Sequence, residues 1–112
     1  MKLVILESPF AATNGKTVEE NIAYARACVR DSLSRGEAPI ASHLLYTQPG
    51  ILNDDIPSER AWGIDAGLAW KAVANKSVVY TDYGISSGMK YGMEAAIAQG
   101  LTVELRRLYA NS

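Results

Sequence analysis

The sequence predicts an α/β domain: a flavodoxin-like (Rossmann-like) three-layer fold, a parallel sheet of four to five strands with helices on both faces. Three observations carry that expectation. Short, continuously apolar runs recur along the chain, as in strands covered on both faces, instead of the alternation of a half-exposed sheet. Between them lie segments with apolar residues at helical spacing, giving the order β-α-β-α-β-α-β. With 112 residues, 48% of them hydrophobic and 21% charged, the chain can build one core but not two, so a single domain over 1–112 is expected.

Each element has a local reason. Leu3-Val4-Ile5-Leu6 is a run of strand formers stopped by Glu7-Ser8-Pro9. Asn14-Gly15 signals a turn, and Thr17-Val18-Glu19-Glu20 has the capping-box order that opens a helix. Val18, Ile22, Ala25, Val29 and Leu33 then form one apolar stripe, and Gly36 is placed to end the helix. Ala38-Pro39-Ile40-Ala41 reads as a short second strand, weakened by a proline that has no N–H to donate. Residues 42–57 read as a long loop, after which Ser58 can cap a helix with Glu59 in its first turn and Trp62, Ala66, Ala69 and Val73 as its buried stripe. Asn75-Lys76 ends that helix. Ser77 to Asp82 is the clearest strand, the loop Tyr83 to Gly88 leads into a helix with Met89, Met93, Ala96 and Ile97 inward, and Leu101 to Leu105 is the last strand.

Composition excludes several functions. Eleven Lys and Arg against twelve Asp and Glu leave a formal charge of -1, so duplex nucleic acid is not an expected partner. Cys28 has no second cysteine to pair with, and without Cys/His spacing no metal site is expected. No apolar run approaches the ~18 residues of a membrane span, and the first residues lack a signal-peptide pattern. A cytoplasmic, reducing setting with no membrane partner and no cofactor is the expectation.

Ligands of open parallel sheets bind beyond the carboxyl ends of the strands, near the switch in strand order. That rule selects Glu7-Ser8-Pro9-Phe10, Ser42-His43-Leu44, and Asp82 through Met89. In the loop before the third long helix, Gly84, Ser86, Ser87 and Gly88 combine free helix-start amides, hydroxyls and room for close approach, which suits a phosphate; serine is equally a common helix cap. It is neither a Walker loop, lacking the terminal Lys-Ser/Thr, nor a dinucleotide fingerprint. Glu7, at a strand end, is placed either to face a ligand sugar or to sit solvated. His43, the single histidine, could contact a base or phosphate, shuttle a proton, or serve the fold alone. Asp65 could face ligand or solvent, and Asn53-Asp54-Asp55 reads as a hydrated turn. Trp62, Trp70, Met89 and Met93 read as core or subunit interface, and Cys28 as packing.

Ser8-Pro9-Phe10 after the first strand, Ser42-His43-Leu44-Leu45 after the second, and Asp82 with Ser86-Ser87-Gly88-Met89 after the third resemble the nucleoside 2-deoxyribosyltransferase-like superfamily, which includes nucleotide N-glycosidases, and small phage and bacterial relatives. The resemblance covers nearly the whole chain and implies a dimerising flavodoxin-like domain that binds nucleosides or nucleotides. It implies that Ser86, Ser87 and Gly88 take a phosphate or sugar, and that Ser8-Pro9-Phe10 forms part of the sugar or base pocket. In the active enzymes a glutamate follows the Ser-x-Gly pattern on the first turns of the helix and acts on the anomeric carbon. Here that position is Gly92. Glu94, two residues on, lies about 200° around the helix and does not replace it. A helix-interior glycine costs about 1 kcal/mol relative to alanine, and Gly92 reads as letting the helix approach a bulky ligand or a partner helix.

Three functions follow as expectations. The first is a nucleotide-binding protein that sequesters its ligand uncleaved, such as a phage anti-defence sponge for an ADP-ribose-type or cyclic nucleotide signal. The second is an active N-glycosidase or deoxyribosyltransferase with a relocated catalytic carboxylate: Glu7 first, then Asp82, or Asp54, Asp55 or Glu59 from a second subunit. The third is a partner-binding domain whose serine loop is only a cap. A thin sheet with two tryptophans and several methionines to bury further predicts a homodimer or larger symmetric assembly.

Overall fold

The computed structural model describes residues 1–109. Four parallel strands, β1 (Lys2–Glu7), β2 (Glu37–Ile40), β3 (Lys76–Tyr80) and β4 (Thr102–Arg106), form one sheet in the order β2-β1-β3-β4. The helices are α1 (Val18–Ser34), a single turn α2 (Ser42–Leu45), α3 (Pro57–Ala69) continued by a 3₁₀ turn over Trp70–Ala72, and α4 (Ser87–Ala98). They flank both faces, as in the flavodoxin-like arrangement that the alternating elements predict. β1 has β2 on one side and β3 on the other, so the chain changes direction across the sheet at β1. The ligand rule for open sheets therefore points to the carboxyl end of β1.

Alternation along the strands divides the core. Val4, Leu6, Val78 and Tyr80 pack with Tyr24 and Cys28 of α1 and with Ala41. Ile5, Glu7, Ser77 and Val79 are out of phase with them and face the opposite layer, where Gly92 of α4 abuts Glu7. Pro39 is tolerated because β2 is an edge strand. The Thr17 capping box is present: the Glu20 amide donates to Thr17 Oγ1 at 3.0 Å and the Thr17 amide to Glu20 Oε1 at 2.9 Å. Gly36 ends the helix region in the left-handed conformation (φ 79°).

Several expectations need correction. The buried face of α1 is Asn21, Tyr24, Ala25, Cys28 and Ser32, one residue out of step with the apolar stripe, and Leu33 is half exposed. Polar residues win that face because each has a fixed partner: Tyr24 donates to Asp82, Ser32 to Glu37, and Asn21 holds the carbonyls of Phe10 and Ala11. Residues 42–57 are not all loop, since Ser42–Leu45 makes a helical turn. α3 begins at Pro57, whose fixed φ and missing N–H suit a first helical position, so Ser58 is not its cap. Its expected buried stripe faces out, with Trp62 67% and Val73 59% exposed; Gly67 and Lys71 are the buried positions. The helix ends before Asn75-Lys76, and Lys76 opens β3. On α4, Met89 and Ala96 are buried but Ile97 is 63% exposed.

Candidate functional site

A cavity of about 260 Å³ opens beyond the carboxyl end of β1, between the turn α2, α3 and the start of α4. β1 supplies Glu7 and, just past it, Ser8. The residues after β2 supply Ser42 and His43, and the first turns of α4 supply Ser87, Gly88 and Gly92. α3 and its 3₁₀ extension close the other wall with Gly63, Gly67 and Lys71. Gly67 lets α3 pass close to α2, because a Cβ at that position would lie 3.1 Å from Ser42 Cβ and closer still to its Oγ.

Of the residues expected at a site, Glu7, Ser8, Phe10, His43, Ser86, Ser87, Gly88 and Met89 all line this cavity. Three do not. Pro9 is fully buried beside it, and Gly84 sits in the preceding turn at φ 88°, its amide donating to the Thr81 carbonyl. Asp82 is committed elsewhere. It accepts from the Tyr24 hydroxyl at 2.6 Å and from the amides of Leu108 and Tyr109 at 2.7 and 2.8 Å, so it anchors the segment after β4. Burial pushes the Asp82 carboxyl up, but those hydrogen bonds outweigh it and hold it below the usual range. Among the loop acids, Asp54 pairs with Arg60 at 3.0 Å and Glu59 accepts from the Asn53 amide at 2.8 Å, both at the cavity wall; Asp55 lies outside it. Asp65 is exposed and does not line the cavity.

The chemistry concentrates at the floor. Ser8, 4% exposed, is hydrogen-bonded to His43 Nε2 at 2.7 Å, the orienting partner that the sequence did not reveal. Burial depresses the His43 pKa to about 4, so the ring is neutral at neutral pH. Glu7 lies against Gly92: a Cβ on α4 there would be 2.9 Å from Glu7 Cδ and closer still to Oε2. The glycine thus admits a carboxylate arriving from β1. Burial raises the Glu7 pKa, opposed by Lys71, whose Nζ is 3.6 Å from Oε2. Lys71 is 4% exposed and escaped sequence analysis, because a lone lysine in Trp70-Lys71-Ala72-Val73 resembles any solvated helix-end lysine. At the α4 start, Ser86 Oγ is the helix cap, accepting from the Met89 amide at 3.2 Å. Ser87 and Gly88 are left exposed at the cavity edge.

Among the described residues no group of three His, Cys, Asp or Glu side chains is placed to hold a metal ion. No described helix is long and apolar enough to cross a membrane. The model of a family described as a domain of unknown function, DUF7768, matches residues 2–106. No curated protein matches the chain.

Proposed function

We propose that this chain, which belongs to the DUF7768 family, binds a nucleotide or nucleotide-derived small molecule in the cavity at the β1 switch point. The observation that carries this reading is convergence: Ser8, His43 and the first turn of α4, far apart in sequence, line one cavity where open parallel sheets hold their ligands. In this reading the Ser87 and Gly88 amides and the Ser87 hydroxyl take a phosphate. Ser86 Oγ accepts from the Met89 amide as the cap, which leaves its own O–H to donate to the same phosphate. Sequestration without cleavage is the primary reading, because the helix position expected to carry a catalytic glutamate is Gly92. The pathway served, including an anti-defence role, belongs to the same proposal.

One observation favours a second reading, an N-glycosidase acting through Glu7. The Glu7 carboxylate fills the space above Gly92 that a side chain on α4 would occupy, so the cavity holds an acid although the helix carries none at that position. Calorimetric titration of the chain with a nucleotide panel, with chromatography of the recovered ligand, separates the two. Binding with intact ligand recovered is the expected result, and free base in the eluate would establish the second. If no nucleotide binds at millimolar concentration, neither stands. The exposed apolar stripe of α3, Trp62 with Ala69 and Val73, supports the expected homodimer.

A further inference from the structure

A nearly buried ion pair stabilises a fold only when its remaining hydrogen-bonding capacity is met. At the cavity floor that capacity is left to whatever occupies the cavity. Glu7 and Lys71 side chains are 15% and 3% exposed, and their 3.6 Å separation is too long for a direct hydrogen bond. Neither side chain has another hydrogen bond or ion pair among the described residues. Both line the cavity, so a bound molecule can reach the pair from that side. A carboxylate accepts only and an ammonium donates only. A hydroxyl does both, and two adjacent hydroxyls can donate to Glu7 while accepting from Lys71. The pair is close to neutral as a unit, which suits an uncharged polyol better than a phosphate. Gly92 keeps this floor open, since any larger residue on α4 would displace the carboxylate.

We propose that Glu7 and Lys71 form a clamp for a vicinal diol, so that the site takes ribose in preference to 2′-deoxyribose. This rests on the reading of the ligand as nucleotide-derived, and it adds the sugar that the site selects. A site built to bond a hydroxyl leaves its own polar groups unpaired when the hydroxyl is missing, and such losses weaken binding by about 10-fold or more.

The test is calorimetry of the full chain with the four ribonucleoside 5′-monophosphates, their 2′-deoxy counterparts, and D-ribose 5-phosphate. The expected result is at least about 10-fold tighter binding of a ribonucleotide than of its 2′-deoxy form, a difference abolished in Glu7→Gln. Glu7→Gln leaves Lys71 unpaired; should it unfold, Glu7→Gln/Lys71→Met removes both charges at similar volume and must abolish the same difference. Equal affinity for ribo and deoxy forms overturns the clamp while leaving nucleotide binding intact. Binding of D-ribose 5-phosphate alone, lost in the variants, upholds the clamp and removes the nucleotide reading. Binding of nothing in the set overturns both.

Discussion

Gly92 and Glu7 are one feature seen from two elements. Read along the helix, the glycine costs stability; read across the cavity, it is the only residue that leaves the strand carboxylate its place. Gly92→Ala should therefore push the Glu7 carboxylate from its place beside Lys71, offsetting the gain of about 1 kcal/mol in helix propensity and leaving a net loss of about 1–2 kcal/mol. In a Glu7→Ala background the same change should cost much less, a coupling that a denaturant double-mutant cycle would detect. His43 gives a second residue-scale expectation. Its folded pKa of about 4 lies below its ordinary 6.5, so its contribution is complete above pH 6.5 and shrinks as pH falls towards 4, where the unfolded chain takes up the proton first. His43→Asn should flatten the pH dependence of urea-unfolding free energy in that window, and an unchanged slope there would refute the assignment.

At the scale of elements, α3 departs furthest from its sequence pattern. The spacing of Trp62, Ala66, Ala69 and Val73 marks an apolar stripe, and the stripe exists, but it faces away from the sheet. The inward face instead carries Gly63, Gly67 and Lys71, small residues that leave space for the cavity and a cation at its floor. Periodicity reports that a helix has an apolar face, not which neighbour covers it. If a second copy covers it, Trp62→Lys should convert a dimer to a monomer in sedimentation velocity without lowering the thermal midpoint of the monomer. A wild-type chain that sediments as a monomer would remove the dimer proposal.

Across the whole molecule, polar residues on the α1 side of the sheet tie its two edges together. Arg106 at the end of β4 donates to Glu37 at the start of β2 at 2.6 and 2.8 Å and to Tyr80 at 3.1 Å, and Lys76 bridges Glu37 and Glu104. The Arg106 guanidinium holds the Glu37 and Glu104 carboxyls at about 2, well under their ordinary 4.5. Their stabilising contribution is thus complete above pH 4.5 and is lost as pH falls towards 2. Arg106→Met leaves Glu37 buried without its main partner. It should lower stability by about 3–5 kcal/mol at neutral pH and weaken the acid dependence below pH 4.5, both read from urea titrations.

Legible in the sequence were the order of the strands and long helices, the parallel sheet, the capping box at Thr17, and the three segments that could meet a ligand. These follow from local propensity and from chain order, which act over a few residues. It also placed Ser8 and His43 in separate candidate segments, yet only the tertiary structure set them 2.7 Å apart. The tertiary structure alone assigned Asp82 to the fold instead of the cavity, and brought Lys71 to Glu7. A side chain's role depends on what meets it across the fold, and those contacts join residues 26 to 69 positions apart that no local pattern encodes.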